Sequence, residues 1–396
     1  MPERTDERLP VTLLTGFLGS GKTTLLNAWL RTSDLADAAV IVNEFGEIGI
    51  DHALIAASSD NTIELSTGCL CCTVRGDLVD TLRELTEKRA SGEVKAFDRV
   101  VIETTGLADP APVIQALMTM PVARRYRLTR VITTVDAVNG GTTLDRHPEA
   151  VKQAAVADEV ILTKTDIAAA SAAGDTLSAR IRGLNPGARL HVSRPDRMPM
   201  PSELASADIY DPATKSADVL AWLNAEAYAG GHDGPLDGSG PTGHDHRHGH
   251  RHGHHHGHEH EHEHDHGDHD RDDGARAQHR HDVNRHDDAI GSFCLVYDEP
   301  LEWEHVAAWL DALVMAHGDD LLRVKGIMNI AGEPRPVVLQ AVQHLFHPPA
   351  VLPAWPTPER RSQIVFIARA LKRDYVAEVL DTVRQRRPAS APPPAN

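Results

Sequence analysis

The stretch GFLGSGKT, residues 16–23, decides the fold of this chain of 396 residues. It follows an apolar run that begins at Val11 and precedes a helix-like run that ends at Leu30. This is the pattern G-x-x-x-x-G-K-[ST] of a phosphate-binding loop, in the strand-to-helix context that the motif requires. The glycines let successive N–H groups face a polyphosphate, and the helix N-terminus adds positive potential. A glycine-rich turn without a ligand is the alternative, but it leaves the complete motif and both flanks unexplained.

The end of this loop and a later strand carry the predicted hydrolytic chemistry. Lys22 supplies a point charge for the outer phosphates, and the Thr23 hydroxyl is placed to ligate Mg²⁺. The apolar run Arg99–Glu103 ends in a carboxylate that can act on Mg²⁺ or its water, and the N–H of Gly106 can sense a γ-phosphate. Glu103 stands where Asp is commoner, and an acid that ends a strand by chance is the alternative. We predict Lys22, Thr23 and Glu103 as the catalytic residues.

The segment LTKTD, residues 162–166, follows a late apolar strand and predicts which base is bound. An Asp in this pattern can accept hydrogen bonds from N1 and the exocyclic N2 of guanine, whereas adenine offers no such pair of donors. Asp166 therefore favours guanine, and the stem of Lys164 can pack along the base. Thr163 stands where Asn is usual, and a surface turn is the alternative for so short a pattern. Ser193, which ends the next strand, is a weaker candidate for a backbone contact to the base.

An acidic loop lies between these segments in the sequence. The stretch VNEFGEIGID, residues 42–51, has two glycines and three acids after a predicted strand, which is the position of a switch loop. Any of Glu44, Glu47 or Asp51 could approach Mg²⁺, a catalytic water or a second metal. A solvated acidic loop is the alternative, and the sequence does not choose among the three acids.

The stretch GCLCC, residues 68–72, holds three of the four cysteines of the chain. An odd cluster of thiols without a recognisable secretory signal argues against a disulfide framework. Thiolates this close together suit a soft or borderline divalent metal such as Zn²⁺, so Cys69, Cys71 and Cys72 are the predicted metal ligands. Redox chemistry and simple packing are the alternatives. The fourth cysteine, Cys294, lies in an apolar run and is predicted to be a buried core residue.

Strand-like apolar runs alternate with helical stretches from residue 10 to about residue 230. This alternation predicts an α/β fold of the P-loop NTPase kind, with a mostly parallel sheet and helices on both faces. After a change of composition, residues 289–384 predict a small C-terminal α+β domain. The predicted strands of the first region are Val11–Thr15, Ala39–Asn43, Thr62–Leu65, Arg99–Glu103, Arg130–Asp136, Glu159–Thr163 and Arg189–Ser193.

Four segments are predicted: a P-loop domain (1–230), a His-rich linker (231–288), a C-terminal domain (289–384) and a Pro-rich tail (385–396). Seventeen of the 25 histidines lie between His244 and His286. This tract has almost no aliphatic residue to bury, so we expect it to be disordered without a ligand. Neutral imidazoles bind Zn²⁺, Ni²⁺, Co²⁺ and Cu²⁺ alike, so the tract is either a metal reservoir or a solvated spacer.

Charge and hydropathy limit the partners of the chain. The 57 acidic and 40 basic residues give a formal charge of −17, which argues against nucleic acid or an anionic membrane as the main partner. No apolar run is long enough to span a bilayer, and the polar start MPERTDERLP is unlike a secretory signal. We therefore expect a cytoplasmic protein with reduced thiols. The sequence leaves the oligomeric state open, with a homo-oligomer among the options.

The chain resembles the CobW-like family of GTP-dependent metallochaperones. The resemblance is carried by the order of the motifs GFLGSGKTT, VNEFGEIGID, GCLCC, ETTGLADP and TKTD, together with the His-rich stretch and the small C-terminal domain. The resemblance covers nearly the whole chain, and GCLCC joined to the phosphate loop is its most specific signature. It implies slow GTP hydrolysis coupled to holding a metal ion, Zn²⁺ in most members, and passing it to a client protein. The nucleotide-binding residues that it and the motifs together indicate are Gly16, Gly19, Ser20, Gly21, Lys22, Thr23, Thr24, Gly106, Lys164 and Asp166.

The sequence leaves two alternatives to a zinc chaperone open. One is a cobalt-handling GTPase that serves cobalamin synthesis, which the sequence does not separate from the zinc hypothesis. The other is a metal storage or buffering protein with a vestigial nucleotide site, against which the set of Lys22, Thr23 and Glu103 argues. The sequence does not reveal the client protein.

Overall fold

The computed structural model describes residues 8–43, 62–65, 73–204, 223 and 290–385. They form two β-sheets, one built from residues before the His-rich tract and one from residues after it. Both sheets belong to the same compact unit.

The N-terminal part contains a seven-stranded sheet in the order β3-β2-β4-β1-β5-β6-β7, and each pair of neighbours is parallel. This arrangement is the predicted P-loop NTPase fold. The strands are β1 (Leu9–Gly16), β2 (Ala38–Asn43), β3 (Thr62–Leu65), β4 (Arg99–Glu103), β5 (Tyr126–Asp136), β6 (Glu159–Thr163) and β7 (Arg189–Val192). The α-helices are α1 (Lys22–Leu30), α2 (Thr73–Ser91), α3 (Ala111–Met118), α4 (Gly140–Arg146), α5 (Pro148–Ala155) and α6 (Ala168–Leu184).

Helices cover both faces of this sheet, as the continuous apolar runs predicted. Strand β6 is buried along its whole length, which is typical of a strand between two helical layers. On one face α1 contributes the fully buried Trp29. On the other face α2 and α3 contribute Leu82 and Ile114. Because parallel strands end at the same edge, four of them bring their last residues to one side of the sheet: Gly16, Glu103, Asp136 and Thr163.

The C-terminal part is a six-stranded antiparallel sheet in the order β11-β10-β9-β13-β8, with β12 paired to β10. One face packs on two helices through a cluster that contains Trp309 and Phe366. The other face shares a hydrophobic cluster with the N-terminal part, in which Leu322 lies with Ala154. The elements are β8 (Ile290–Tyr297), α7 (Trp303–His317), β9 (Leu321–Met328), β10 (Val337–Val342), β11 (Leu345–Phe346), β12 (Ala350–Val351), β13 (Ser362–Arg369) and α8 (Arg373–Gln385).

The largest difference between predicted and observed strands is in β5, which was predicted from Arg130 and begins at Tyr126. Its first residues alternate between buried and partly exposed, so the polar Arg127 and Thr129 interrupt the apolar signal. The predicted burial of Cys294 is confirmed, since the residue is 8% exposed and burial raises the pKa of its thiol to about 11. None of the helices in the described ranges has the length and apolar character needed to cross a membrane.

Candidate nucleotide-binding site

The phosphate-binding loop connects β1 to α1 at the carboxyl edge of the parallel sheet. Its three glycines Gly16, Gly19 and Gly21 have φ values of 142°, 68° and 90°. Such φ values are strained for residues with a Cβ atom, so the backbone conformation of the loop depends on these glycines. Lys22 is buried, and its Nζ donates to the carbonyls of Gly16 at 3.0 Å and Phe17 at 3.2 Å. The ammonium group therefore folds back over the loop, where a phosphate-binding cation is expected.

Thr23 and Glu103 are in contact although they lie 80 positions apart in the sequence. The Thr23 Oγ1 donates to Oε1 of Glu103 at 2.7 Å. Glu103 is 3% exposed and ends β4, the neighbour of β1. The next residue, Thr104, donates from its hydroxyl to Thr15 Oγ1 at 2.8 Å, which ties the end of β4 to the start of the loop. A hydroxyl and a carboxylate in contact offer the hard oxygen ligands that Mg²⁺ prefers.

Gly106 lies directly against the phosphate loop. A Cβ atom at this position would lie 2.6 Å from the backbone nitrogen of Leu18, so only glycine permits the approach. Between Glu103 and Gly106, Thr105 is buried, and its Oγ1 has no hydrogen-bond partner in the described part of the chain. A buried hydroxyl of this kind costs free energy unless a bound group satisfies it. The hydroxyl of Thr105 therefore fits a ligand beside residues 103–106.

Lys164 occupies the turn after β6 with φ of 57°, which is uncommon for a residue other than glycine. Its Nζ lies 2.8 Å from Oδ2 of Asp136. Asp136 also accepts hydrogen bonds from the side-chain amide of Asn139 at 3.0 Å and from the N–H of Val138 at 2.7 Å. Burial raises the pKa of Asp136, but these hydrogen bonds outweigh it and hold the pKa below its usual value. An ionised Asp136 therefore fixes the predicted guanine-side lysine.

Thr163 connects the guanine segment to the phosphate loop. Its Oγ1 donates to the carbonyl of Ser20 at 2.7 Å. The Ser20 hydroxyl in turn bonds to that of Thr134 at 2.7 Å. The threonine that replaces the usual asparagine therefore ties β6 to the loop through its hydroxyl.

The remaining predicted nucleotide contacts lie at the surface or are engaged within the protein. Asp166 and Thr24 are exposed. The carbonyl of Ser193 accepts from Thr165 Oγ1 at 2.7 Å, and the N–H of Ser193 donates to Leu162. Both backbone groups of Ser193 thus have partners within the protein, and its contact to the base stays a prediction.

A cavity of about 270 Å³ lies beside the loop. Residues 17–20 and 133–136 line it together with Gln153 and Lys164. Residues predicted to bind phosphate and residues predicted to bind the base therefore border one continuous space. Its volume lies near the lower end of small-molecule sites, which span about 300–1,000 Å³.

Several predicted residues lie outside the described ranges, and their roles stay predictions. They are the thiols Cys69, Cys71 and Cys72, the acids Glu44, Glu47 and Asp51, and the histidine tract. Within the ranges that the structure does describe, no group of three or more His, Cys, Asp or Glu side chains is arranged to hold a metal ion.

Asp136 and Gln153 belong to the site but were not identified as functional from the sequence. Asp136 ends β5 at the carboxyl edge, as Glu103 ends β4, so a strand that ends in an acid was a usable signal. Gln153 is fully buried and donates to the carbonyls of Gly106 and Ala108, which precede it by 47 and 45 positions. No local pattern around Gln153 indicates these contacts.

Comparison with known proteins assigns both parts of the chain. Residues 10–192 match the family model described as the nucleotide-binding domain of CobW/HypB/UreG, and residues 290–384 match the cobalamin synthesis protein CobW C-terminal domain. The chain belongs to the CobW-like family. The resemblance predicted from the motifs is confirmed, and with it the assignment of the chain to a family of P-loop GTPases.

Two relatives and one solved structure illustrate this similarity. The zinc chaperone YjiA of Escherichia coli K12 is 29% identical over 378 residues, which cover 95% of this chain and 99% of that protein. The zinc chaperone CobW of Pseudomonas aeruginosa is 36% identical over 279 residues, which cover 62% of this chain and 66% of that protein. The crystal structure of Zn(II)-bound YjiA GTPase from E. coli has a TM-score of 0.61 at 25% identity and covers 96% of this chain and 100% of that one.

Proposed function

We propose that this CobW-like protein is a GTP-hydrolysing zinc chaperone. It binds Zn²⁺ through Cys69, Cys71 and Cys72 and passes the ion to a metal-dependent client protein, coupled to the hydrolysis of GTP to GDP and phosphate. The observation that carries the GTPase assignment is the contact between Thr23 and Glu103 beside the buried Lys22. A protein that only stores metal has no need to keep these three groups together.

Phosphoryl transfer depends mainly on positioning and on neutralising charge. Lys22 supplies a cation for the charge that develops on the outer phosphates. Thr23 and Glu103 would hold Mg²⁺, and the ion supplies Lewis-acid stabilisation of the phosphates when bound. Gly106, which lies against Leu18, keeps its segment close enough to the loop to respond to the γ-phosphate.

Base selection is assigned to the turn that follows β6. Lys164 is fixed by Asp136, and Asp166 lies two positions further on with an exposed side chain. The carboxylate of Asp166 would accept hydrogen bonds from N1 and N2 of guanine. Adenine lacks this pair of donors, so we expect GTP rather than ATP as the substrate.

The cysteine cluster connects the nucleotide cycle to the metal. In the sequence, Cys69–Cys72 lies between two segments proposed to sense the nucleotide, residues 43–51 and 103–106. If GTP orders these segments, it changes the geometry available to the thiolates. A chaperone needs this difference, because a nucleotide can shift metal affinity only through states that bind the metal differently.

Zinc is favoured over cobalt as the cargo by the names of the relatives, since both proteins cited above are called zinc chaperones. Handling of cobalt for cobalamin synthesis is the second candidate, because the family model of the C-terminal domain is described by that pathway. We further propose a cytoplasmic location, where thiols stay reduced, and no nucleic-acid or membrane partner. The formal charge of −17 supports the last point. Association into a homo-oligomer is compatible with this function.

Phosphate release by the full chain tests the proposal. With Mg²⁺ present, GTP should be hydrolysed and ATP should not, and Zn²⁺ should alter GTP turnover more than Co²⁺ does. Absence of GTP hydrolysis with either metal would contradict the GTPase assignment. A stronger response to Co²⁺ would favour the second candidate.

Deletion of residues 232–287 is the matched control for the metal site. The tract is proposed as a reservoir, so total bound metal should fall while the tightest site and GTP turnover persist. Shortening a connecting segment changes chain entropy only logarithmically, so folding should be little affected. Loss of GTP turnover on deletion would mean that the tract is part of the enzyme.

A further inference from the structure

One short helix, α5, holds the segment proposed to sense the γ-phosphate. The Nε2 of the fully buried Gln153 donates to the carbonyls of Gly106 at 3.2 Å and Ala108 at 3.0 Å, which uses both amide hydrogens. The preceding residue, Lys152, pairs with Asp109 at 2.7 Å. Two consecutive residues of α5 therefore fix residues 106–109.

The end of the same helix contacts the C-terminal sheet. Val156 directly follows α5, and its carbonyl accepts a hydrogen bond from Arg323 of β9. Asp158 pairs with Arg323 at 2.6 Å and with Lys325 at 3.1 Å, and all three charged groups are buried. Breaking such a buried pair leaves an uncompensated charge, so this connection strongly favours one geometry.

The last turn of α5 is anchored between these two contacts. Thr133 of β5 donates from its hydroxyl to the carbonyl of Gln153 at 2.8 Å. The side-chain amide of Asn185 lies within 2.9 to 3.0 Å of the carbonyls of Ala154, Ala155 and Ala157. Displacement of residues 106–109 would therefore act on a helix that is also fixed to β9.

We propose that Gln153 is a positioning residue for GTP hydrolysis and that α5 couples the γ-phosphate segment to Arg323 of the C-terminal sheet. This inference rests on the proposed GTPase function. Gln153 acts through Gly106, which it holds against Leu18 of the phosphate loop. When the γ-phosphate leaves, any movement of residues 106–109 reaches the C-terminal sheet through Gln153, Lys152 and Val156. An element whose position depends on the nucleotide is what such coupling requires.

Replacement of Gln153 by Met removes both amide donors at nearly constant volume. In the full chain, Gln153→Met should lower kcat for GTP by about tenfold, or about 1.4 kcal/mol. It should also weaken binding of a non-hydrolysable GTP analogue while GDP affinity stays within about twofold, because GDP lacks the γ-phosphate. Gln115→Met on α3 is the matched control, since its amide donates to Gln343 of the C-terminal part at 3.4 Å. This control should leave both nucleotide affinities and kcat unchanged.

The preference for the analogue over GDP separates positioning from a merely structural role. The assignment of Gln153 as a positioning residue would be overturned if Gln153→Met kept the wild-type kcat and the wild-type preference. It would also be overturned if this variant lost the same factor of affinity for the GTP analogue and for GDP. If that variant does not fold, Lys152→Met loosens the same segment from a partly exposed position, and an unchanged preference there would overturn it. If the wild type binds the analogue but does not hydrolyse GTP, the proposed function fails, whereas the preference still tests Gln153.

Arg323→Lys tests the connection to the C-terminal sheet. Lysine keeps a positive charge opposite Asp158 but lacks the guanidinium fork, in which one nitrogen bonds to the carbonyl of Val156 and another to Asp158. The preference for the GTP analogue over GDP should fall in Arg323→Lys, by less than in Gln153→Met. The double variant Gln153→Met/Arg323→Lys should show the same preference as Gln153→Met alone. Changes on one connection are not additive, whereas independent sites add. The coupling would be overturned if the two substitutions lowered the preference by independent factors that multiply in the double variant. It would also be overturned if Arg323→Lys left the preference unchanged.

Discussion

Buried charged side chains lie at both edges of the parallel sheet: the carboxyl edge, where its strands end, and the amino edge, where they begin. At the carboxyl edge, Lys22 is held by backbone carbonyls and Glu103 by the hydroxyl of Thr23. At the amino edge, Asp158 faces Arg323 and Lys325 of the C-terminal sheet. These contacts of Lys22 and Glu103 lie at the proposed phosphate and Mg²⁺ site, whereas those of Asp158 join the parallel sheet to the C-terminal sheet. Charge changes should therefore affect ligand binding at the carboxyl edge and folding stability at the amino edge.

The pKa shifts of Asp158 and Lys325 agree with a role of the amino edge in folding stability. Burial raises the pKa of Asp158, but Arg323 and Lys325 outweigh it and hold the pKa below its usual value. Burial and the neighbouring Arg323 lower the pKa of Lys325 to about 8, against the opposing effect of Asp158. An acid kept ionised inside the protein is strongly tied to its cationic partners.

Asp158→Asn should give the largest effect on stability. The amide keeps the shape of the side chain but removes the negative charge that faces the buried Arg323 and Lys325. We expect a loss of about 3–5 kcal/mol in the free energy of unfolding, measured by urea denaturation. Asp98→Asn is the control, because Asp98 pairs with Arg99 at the surface and should change stability by less than about 1 kcal/mol. Equal effects of the two substitutions would remove the distinction between the edges.

Lys22→Ala should give the largest effect on ligand binding. The loop loses its cation, so affinity for a GTP analogue should fall by about 100-fold, and GTP turnover should fall with it. Nucleotide titration and phosphate release measure the two quantities. Lys88→Ala, at a surface pair on α2, should leave both unchanged. Wild-type GTP turnover in Lys22→Ala would contradict the catalytic assignment of the carboxyl edge.

Asp166→Asn should relax the choice of base without abolishing binding. The carboxylate accepts from two donors of guanine, whereas the amide offers one acceptor and one donor group. The ratio of GTP to ATP affinity should fall by about tenfold, in line with about 1–3 kcal/mol for a bidentate base contact. An unchanged ratio would reject Asp166 as the guanine reader.

His347 should give a smaller, pH-dependent effect on the side of the C-terminal sheet. Burial, with a smaller contribution from Arg8, lowers the pKa of His347 from 6.5 to about 4. The unfolded chain therefore binds the proton more readily, and stability is lost as pH falls from 6.5 towards 4. Between pH 7 and 5.5 this residue should account for about 1 kcal/mol of lost stability.

The measurement for His347 is the change in unfolding free energy between these two pH values. His347→Gln should reduce that change, whereas His344→Gln, at an exposed histidine paired with Asp319, is the control. The same pH dependence in His347→Gln as in the wild type would show that this histidine does not titrate as described.

The carboxyl edge was largely predictable from the sequence because its signals are local. The phosphate loop is one continuous motif, and the apolar runs before Gly16, Glu103 and Thr163 predicted strands that end at the same edge. Parallel pairing then brings Thr23 to Glu103 without further information. The predicted strand Glu159–Thr163 agrees with the observed one at both ends.

The amino edge could not be predicted, because its contacts join distant parts of the chain. Asp158 lies 165 positions from Arg323 and 167 from Lys325, and nothing near any of them indicates the pairing. The same holds for Gln153, whose partners are backbone carbonyls that carry no sequence signal. Only the fold places these groups together.

We propose that a thiolate site for Zn²⁺ responds to the nucleotide bound at the carboxyl edge. The most direct test is the Zn²⁺ affinity of the full chain, measured by chelator competition with a GTP analogue and with GDP, for the wild type, Cys71→Ser and Cys294→Ser. We expect one tight site whose Zn²⁺ affinity differs by about tenfold between the GTP analogue and GDP, within the usual range of coupling free energies. Cys71→Ser should abolish this site, while Cys294→Ser, the same substitution at a buried core position, should retain it. Full affinity and full nucleotide response in Cys71→Ser would contradict the account.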